Sequence, residues 1–261
     1  MSDAVLYEVH GRVGVITLNR PEARNAINGD VAEGIERAVD EIEGNDEVWV
    51  AILTATTEGQ ARPVFCAGMD LKALQAGHGA RSTTQRGGFA GFAYRDRRKP
   101  VIAAVDGLAT AGGCELVLAA DLVVASTAAA FGLAEVKRNL VAGAGGLFRL
   151  PRLIGRSAAM EAILTGEPIP AARAYELGLV SRLTEPGEAL GEAFRLAEQI
   201  TANAPLAVWA SREVVLAADT ADDETLRAMT DQALAQSLSS EDLQEGLSAF
   251  IEKRQPQWKG R

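Results

Sequence analysis

The chain has 261 residues, enough for one large domain, with 48% hydrophobic and 23% charged side chains, a globular composition. Its net charge of −9 disfavours nucleic acid and anionic membranes as partners, and two cysteines, Cys66 and Cys114, give no disulfide framework and no CxxC metal site. No leader pattern opens the sequence and no apolar run is long enough to span a bilayer, so a cytoplasmic location is expected.

In chain order, LYEVHG and VGVITLN are strand-like and flank a Gly-containing turn, which predicts a hairpin. RPEARNAIN follows as a loop. A helix is expected from about Asp30, with Val31, Ile35, Ala38, Val39 and Ile42 at helical spacing and Gly44-Asn45 as its stop. VWVAILTAT is a continuous apolar run of the kind buried on both faces of a sheet, and VFCAG is a shorter one. The Gly, Ser, Thr, Gln and Arg of residues 77–88 predict a mobile loop. FAGFAYRDRR is expected to be helical and to lead into the strand KPVIAAVDG. DLVVAS and AAFGL are short strands on either side of a turn, after a GGCEL helix. From Gly146 onward the pattern is helical nearly throughout, with segments near 156–165, 170–178, 187–203, 205–217, 224–237 and 239–253. The fold class is therefore an α/β core with an α-helical C-terminal appendage, divided at about 195/196.

Several common sites are missing. The sequence has no GxxxxGK[ST], no GxGxxG after a strand, no GxSxG and no HExxH. His10 and His78 are the only histidines, one on the first hairpin and one in the Gly-rich loop, so a Ser-His-Asp triad is hard to build. Cys114 has no histidine partner nearby and reads as small buried filler. The basic run Arg95 to Lys99 is expected to be a solvated helix end, with a phosphate contact as the alternative.

Two Gly-containing turns and two glutamates remain. In FCAGMDLKAL an apolar strand ends at Ala67-Gly68, and Asp70 is a good N-cap for a short helix. ATAGGCEL repeats the logic. Backbone N–H groups at such turns point outward without partners, and two turns facing each other would offer two donors to one carbonyl oxygen. Glu115 follows the second turn and Glu135 follows the predicted strand AAFGL. Both have apolar neighbours, so both could carry raised pKa values and share one water. The bland alternative is a solvated or paired side chain, with Lys137 and Arg138 as surface partners of Glu135.

Together these pieces resemble the crotonase superfamily, and most closely its enoyl-CoA hydratases. The likeness runs through LNRPEARNAIN, FCAGMDLKAL, KPVIAAVDGLATAGGCELVLAADLVVAS, AAFGLAEVKRNLVAGAGGLFRLPRLIG and FIEKRQP, in that order, and covers nearly the whole chain. The resemblance implies a ClpP-like spiral of ββα units with a C-terminal helical region, assembled as a trimer or a dimer of trimers. It implies a hydro-lyase that adds water across C2=C3 of a 2-enoyl-CoA, with no metal and no cofactor beyond the CoA of the substrate. It implies that the N–H groups of Met69 and Gly112 hold the thioester oxygen and that Glu115 and Glu135 are the acid/base pair. Arg24, Ala26, Ala67, Met69, Asp70, Leu71, Lys72 and Gly112 match positions lining the CoA and thioester site, with Arg24, Lys72 and Lys253 as the basic groups for CoA. Phe250 and Lys253 match C-terminal residues that approach CoA, in related trimers across a subunit boundary.

The chain departs from the pattern in two places. Ala111-Gly112-Gly113 stands where the family has three glycines, and Val141-Ala142 where many hydratases have Ile-Pro. Lys137 and Arg138 could lie near the acyl pocket and suit a polar or branched acyl group, as in carnitinyl-CoA dehydratase-like members. An isomerase commonly needs only one of the two glutamates. A non-catalytic or RNA-binding member would show a basic surface or a lost glutamate, and a ClpP-like serine peptidase would need a placed histidine.

Overall fold

The computed structural model describes residues 4–261. It begins with strands β1 (Val5–His10) and β2 (Val13–Leu18), helix α1 (Gly29–Gly44), strands β3 (Val50–Ala55) and β4 (Val64–Cys66), and helix α2 (Leu71–Gln75). The two-residue strands β5 (Thr83–Thr84) and β6 (Gly88–Phe89) precede β7 (Val101–Val105), β8 (Leu108–Thr110), α3 (Gly112–Leu118), β9 (Leu122–Ser126) and β10 (Ala130–Gly132). Then come α4 (Gly146–Ile154), α5 (Arg156–Thr165), β11 (Ile169–Pro170), α6 (Ala171–Glu176), β12 (Arg182–Thr184), α7 (Ala189–Thr201), α8 (Pro205–Ala217), α9 (Asp223–Leu238) and α10 (Glu241–Glu252).

The larger sheet runs β1-β2-β3-β7-β9-β12, antiparallel at the hairpin and parallel from β2 onward. Strand alternation splits its side chains between two cores. Val50 and Ile52 of β3, Ile102 and Ala104 of β7 and Val124 of β9 face α7, which meets them with Ala189, Ala193 and Ala197 one turn apart. Ala51 and Leu53, Ala103 and Val105, and Val123 and Ala125 face the main core with α1. Both faces are covered, so β7 reads as an unbroken apolar run and β3 as one broken only by Thr54, whose hydroxyl donates to the Ala104 carbonyl. Asn28 starts α1 by accepting the Val31 N–H at 3.0 Å, and the stripe Val31, Ile35, Ala38, Val39 and Ile42 is buried. The smaller sheet runs β11-β10-β8-β4, parallel except at β11.

Several expectations need correction. FAGFAYRDRR forms turns and no helix. Ala90 and Gly91 have φ of 57° and 65°, and a Cβ on Gly91 would sit 2.4 Å from the Ala32 carbonyl of α1, so the segment is pressed against α1 in a conformation a helix cannot adopt. Residues 77–88 are not an unattached loop: a 3₁₀ turn (Gly79–Ser82) and the β5-β6 pair lie on α1, Thr84 bonds to Glu36, and Arg86 pairs with Asp40. The boundary expected at 195/196 falls within α7, whose alanines belong to the sheet core.

The basic run is also neither a solvated helix end nor a phosphate site. Arg95 pairs with Asp40, Arg97 is buried over the Phe92 ring, and Arg98 stacks on Trp209. Lys99 is fully buried, and its Nζ donates to the Ile42 and Asn45 carbonyls at 2.6 and 2.7 Å. A cation thereby closes the C-terminal end of α1, where helix carbonyls lack partners. Lys99→Met should remove both bonds, leave the two carbonyls only the backbone N–H groups of Asn45 and Val48, and lower unfolding free energy by about 1–3 kcal/mol. A urea-denaturation midpoint within error of the parent would show that these bonds contribute nothing net.

Candidate active site

Three neighbouring parallel strands of the smaller sheet, β4, β8 and β10, end at the same edge. Cys66 is in register with Ala109, and Thr110 with Gly132. Adjacent strands lie ~4.8 Å apart, so the segments that follow them emerge side by side. β4 leads to Ala67-Gly68-Met69, β8 to Ala111-Gly112-Gly113 and Glu115, and β10 to Glu135 in a 3₁₀ turn (Glu135–Arg138).

The two glycine turns touch. A Cβ on Gly68, whose φ is 84°, would lie 2.8 Å from the Gly112 nitrogen, and a Cβ on Gly113 would lie 2.2 Å from the Cys66 carbonyl oxygen. Only glycine permits this approach. Between them Ala111 is held at φ 52° and ψ −130°, a region that L side chains avoid. Residues 24–27 run along the first turn. Ala67 donates to the Arg24 carbonyl, Ile27 donates to the Gly68 carbonyl, and Asp70 donates to the Ile27 carbonyl at 2.9 Å. Because Ile27 uses both neighbours of Met69, the Met69 N–H faces away from it. Among the described residues neither that N–H nor the Gly112 N–H meets an acceptor. Two free donors at abutting turns form a site for a carbonyl oxygen that gains negative charge.

Asp70 caps α2 through the Lys72 and Ala73 N–H groups and pairs with Arg20 at 3.2 Å. Burial alone would raise its pKa, but the Ala73 N–H and Arg20 carry it below the usual carboxylate range. Arg20 also donates to the Ala26 carbonyl, and the buried Asn25 side chain bonds to Thr56 and Val64. Sequence reasoning passed over both residues. A polar pair inside the early loop was the available signal.

Glu115 is buried, and its Oε1 accepts the N–H groups of Ala144 at 2.7 Å and Gly146 at 2.9 Å. Burial raises its pKa; the two N–H groups and the Arg149 charge oppose that rise without cancelling it. Glu135 is raised as well, with less to oppose it. Its Oε2 is buried with no hydrogen-bond partner, and burial together with the Glu115 charge pushes its pKa up to about 7, against its own N–H and Arg138. Lys137 pairs with Glu167 at 2.6 Å and leaves Glu135 alone. Beside Glu135 is an apolar pocket of about 180 Å³, lined by Leu133, Val136, Leu140, Ala142, Leu147 and Ile163 among others. A larger groove, about 1060 Å³, lies between α8 and the start of β9 and includes neither glutamate.

The structure thus gathers Ala26, Ala67, Met69, Asp70, Gly112, Glu115 and Glu135 around one edge. Arg24 follows the same loop with its side chain exposed, and Leu71 and Lys72 are exposed on α2. Phe250 and Lys253 are not part of this cluster. They lie at the end of α10, which packs on α9, and Phe250 is 84% exposed. His10 and His78 are exposed and Cys114 is buried, its thiol pKa raised by burial. No group of His, Cys, Asp and Glu among the described residues could hold a metal ion, and no helix among them is long and apolar enough to cross a membrane.

The arrangement has counterparts in known proteins. The family model described as enoyl-CoA hydratase/isomerase matches residues 8–261. A crystal structure of enoyl-CoA hydratase from Mycobacterium tuberculosis H37Rv superimposes with a TM-score of 0.92 at 48% identity, covering 99% of each chain. A short-chain-enoyl-CoA hydratase from Clostridium acetobutylicum is 37% identical over 96% of this chain and 95% of its own length. A carnitinyl-CoA dehydratase from Salmonella paratyphi A is 38% identical over the full length of both. With its sequence matched end to end and its fold shared, the chain belongs to the enoyl-CoA hydratase/isomerase family.

Proposed function

We infer that the protein adds water reversibly across the C2=C3 bond of a 2-enoyl-CoA thioester. The observation that carries this is the unequal pair of glutamates beside the two free N–H groups. Glu115, held by two donors, ionises first and acts as the base that takes a proton from water. The water oxygen bonds to C3, and the electron pair of the double bond moves toward the thioester oxygen as an enolate. The N–H groups of Met69 and Gly112 stabilise that charge, each donor contributing ~3–4 kcal/mol. Glu135, which keeps its proton to about pH 7 because burial and the Glu115 charge outweigh its own N–H and Arg138, delivers a proton to C2. An isomerase needs only one such group, so the presence of two favours water chemistry.

Arg24 and Lys72 supply positive charge for the CoA phosphates on the Met69 side. In the same scheme Phe250 and Lys253 meet CoA bound by a neighbouring subunit of a homotrimer or dimer of trimers. Sedimentation of the intact protein should then give three or six times the chain mass.

The acyl group sits beyond Glu135. The pocket there is aliphatic, with Lys137 turned to Glu167, so an apolar chain is favoured over a polar one. A cavity of about 150 Å³ holds benzene, so this one accepts roughly six carbons. An acyl group carrying a quaternary ammonium, as a carnitinyl group does, would bury a cation with no carboxylate but the protonated Glu135.

Glu115→Gln and Glu135→Gln should each lower kcat for hydration by about 10²–10⁴-fold, with CoA-ester binding by calorimetry nearly unchanged. Full turnover in either variant would exclude the assigned pair. Glu135→Gln should also stabilise the fold at alkaline pH. The folded-state pKa of about 7 exceeds the ordinary 4.5, so ionising Glu135 weakens the native state as pH rises from 4.5 to 7. Gln escapes this loss, and its Tm should exceed that of the parent at pH 8 and approach it at pH 4.5. Across acyl groups, kcat/KM for 2-hexenoyl-CoA should exceed that for a 2-enoyl-CoA with a quaternary ammonium at C4 by about tenfold or more.

A further inference from the structure

Glu115 is held by a turn that is itself held, and the groups holding it have no part in the chemistry described above. The Ala144 N–H that reaches Glu115 shares a planar trans peptide with the Gly143 carbonyl, so the two point in opposite directions. The Tyr94 hydroxyl donates to that carbonyl at 3.0 Å. Fixing one end of the peptide aims the other at Glu115. The Gly146 N–H is aimed in the same way, because its peptide partner, the Gly145 carbonyl, accepts the Arg149 N–H at 2.9 Å.

Arg149 completes the arrangement. Its guanidinium folds back over the turn and donates to the Ala144 carbonyl at 2.9 Å and to the Ala93 carbonyl at 2.6 Å, joining the turn to the segment that carries Tyr94. It lies 5.3 Å from the ring centroids of both Tyr94 and Phe148. Space for it exists because residue 145 is glycine. A Cβ there would be 2.2 Å from Arg149 Nη1.

We propose that Tyr94 and Arg149 form a clamp that positions Glu115, with Arg149 also supplying the positive charge that favours the carboxylate. Neither is a catalytic residue; both act through Glu115. This rests on Glu115 being the base that activates water. The charged or titratable groups facing Glu115 are Arg149 from α4, Glu135 from the turn after β10 and Cys114 on its own helix. Arg138 faces Glu135, and Tyr94 and Arg152 face Arg149. Among these Arg149 is the one cation whose charge acts on Glu115 directly.

The test combines turnover with a direct titration. In Arg149→Met, kcat for hydration should fall on the order of 10²-fold, the effect of misplacing a reacting group by about 1 Å. KM should stay within about twofold, and the acid limb of the kcat/KM profile should move to higher pH, because Glu115 loses the charge that favours its anion. Arg149→Lys keeps the charge but not the fork, so the acid limb should return toward the parent position while kcat stays low. Tyr94→Phe should lower kcat about tenfold and leave the limb in place. A change confined to KM, an unmoved limb in Arg149→Met, or parent kcat in Tyr94→Phe would overturn the clamp. If Arg149→Met does not fold by circular dichroism, Arg149→Lys and Tyr94→Phe decide the matter. The Glu115 carboxyl can also be titrated by ¹³C NMR on side-chain-labelled protein, assigned by its loss in Glu115→Gln. That signal needs no turnover: if the parent hydrates no enoyl-CoA, the proposed activity fails, while an unmoved Glu115 titration in Arg149→Met still defeats the clamp.

Discussion

The site depends on the register of three short strands. β4, β8 and β10 run parallel, so their C-terminal ends lie along one edge, and the chain leaves each of them at the same level. Parallel neighbours cannot be joined by hairpins, so the intervening helices lie off the sheet and the edge stays open. Everything chemical is carried on the first few residues after a strand. The free N–H groups follow β4 and β8, one glutamate stands four residues beyond Ala111, and the other opens the turn after β10. A slip of one residue between β4 and β8 would bring a side chain to the place where Gly68 meets the Gly112 nitrogen.

That edge has its own energetic character. Ala111 is held where glycine would be relaxed, Glu135 has an oxygen without a partner, and Glu115 is buried with its charge offset only by two N–H groups and one guanidinium. Each of these opposes folding by itself. The rest of the molecule holds them in place through ordinary means: two aliphatic cores on opposite faces of the larger sheet, a capped α1 and buried cations tied to helix carbonyls. The two glutamates are chemically identical in sequence. Their different hydrogen bonding separates them into one group whose raised pKa is held back by two N–H groups and one that keeps its proton to about pH 7.

Much of this was legible from local pattern. The hairpin, α1 with its stripe and stop, the buried β3 and β7, and the C-terminal helices all follow from periodicity, because burial on one or two faces leaves a period that survives in the chain. The two glycine turns and the two glutamates were visible as residues out of keeping with their neighbours. The segment at Phe89–Arg98 was misread as a helix, since its composition is helical and only its contact with α1 forces Ala90 and Gly91 to positive φ. The run Arg95 to Lys99 read as surface, although its charges are spent inside on helix carbonyls, aromatic faces and Asp40.

By itself, then, the sequence singled out the candidate residues and the elements they end, because turn glycines, caps and apolar periods are local properties of a chain. Tertiary structure alone decided what those residues do to one another. That Glu115 accepts from Ala144 and Gly146, twenty-nine and thirty-one residues away, that Glu135 Oε2 finds no donor, and that Tyr94 and Arg149 aim the turn between them are consequences of packing. A carboxylate's ionisation depends on the donors and charges within a few ångströms of it, and no spacing in the sequence records which those will be.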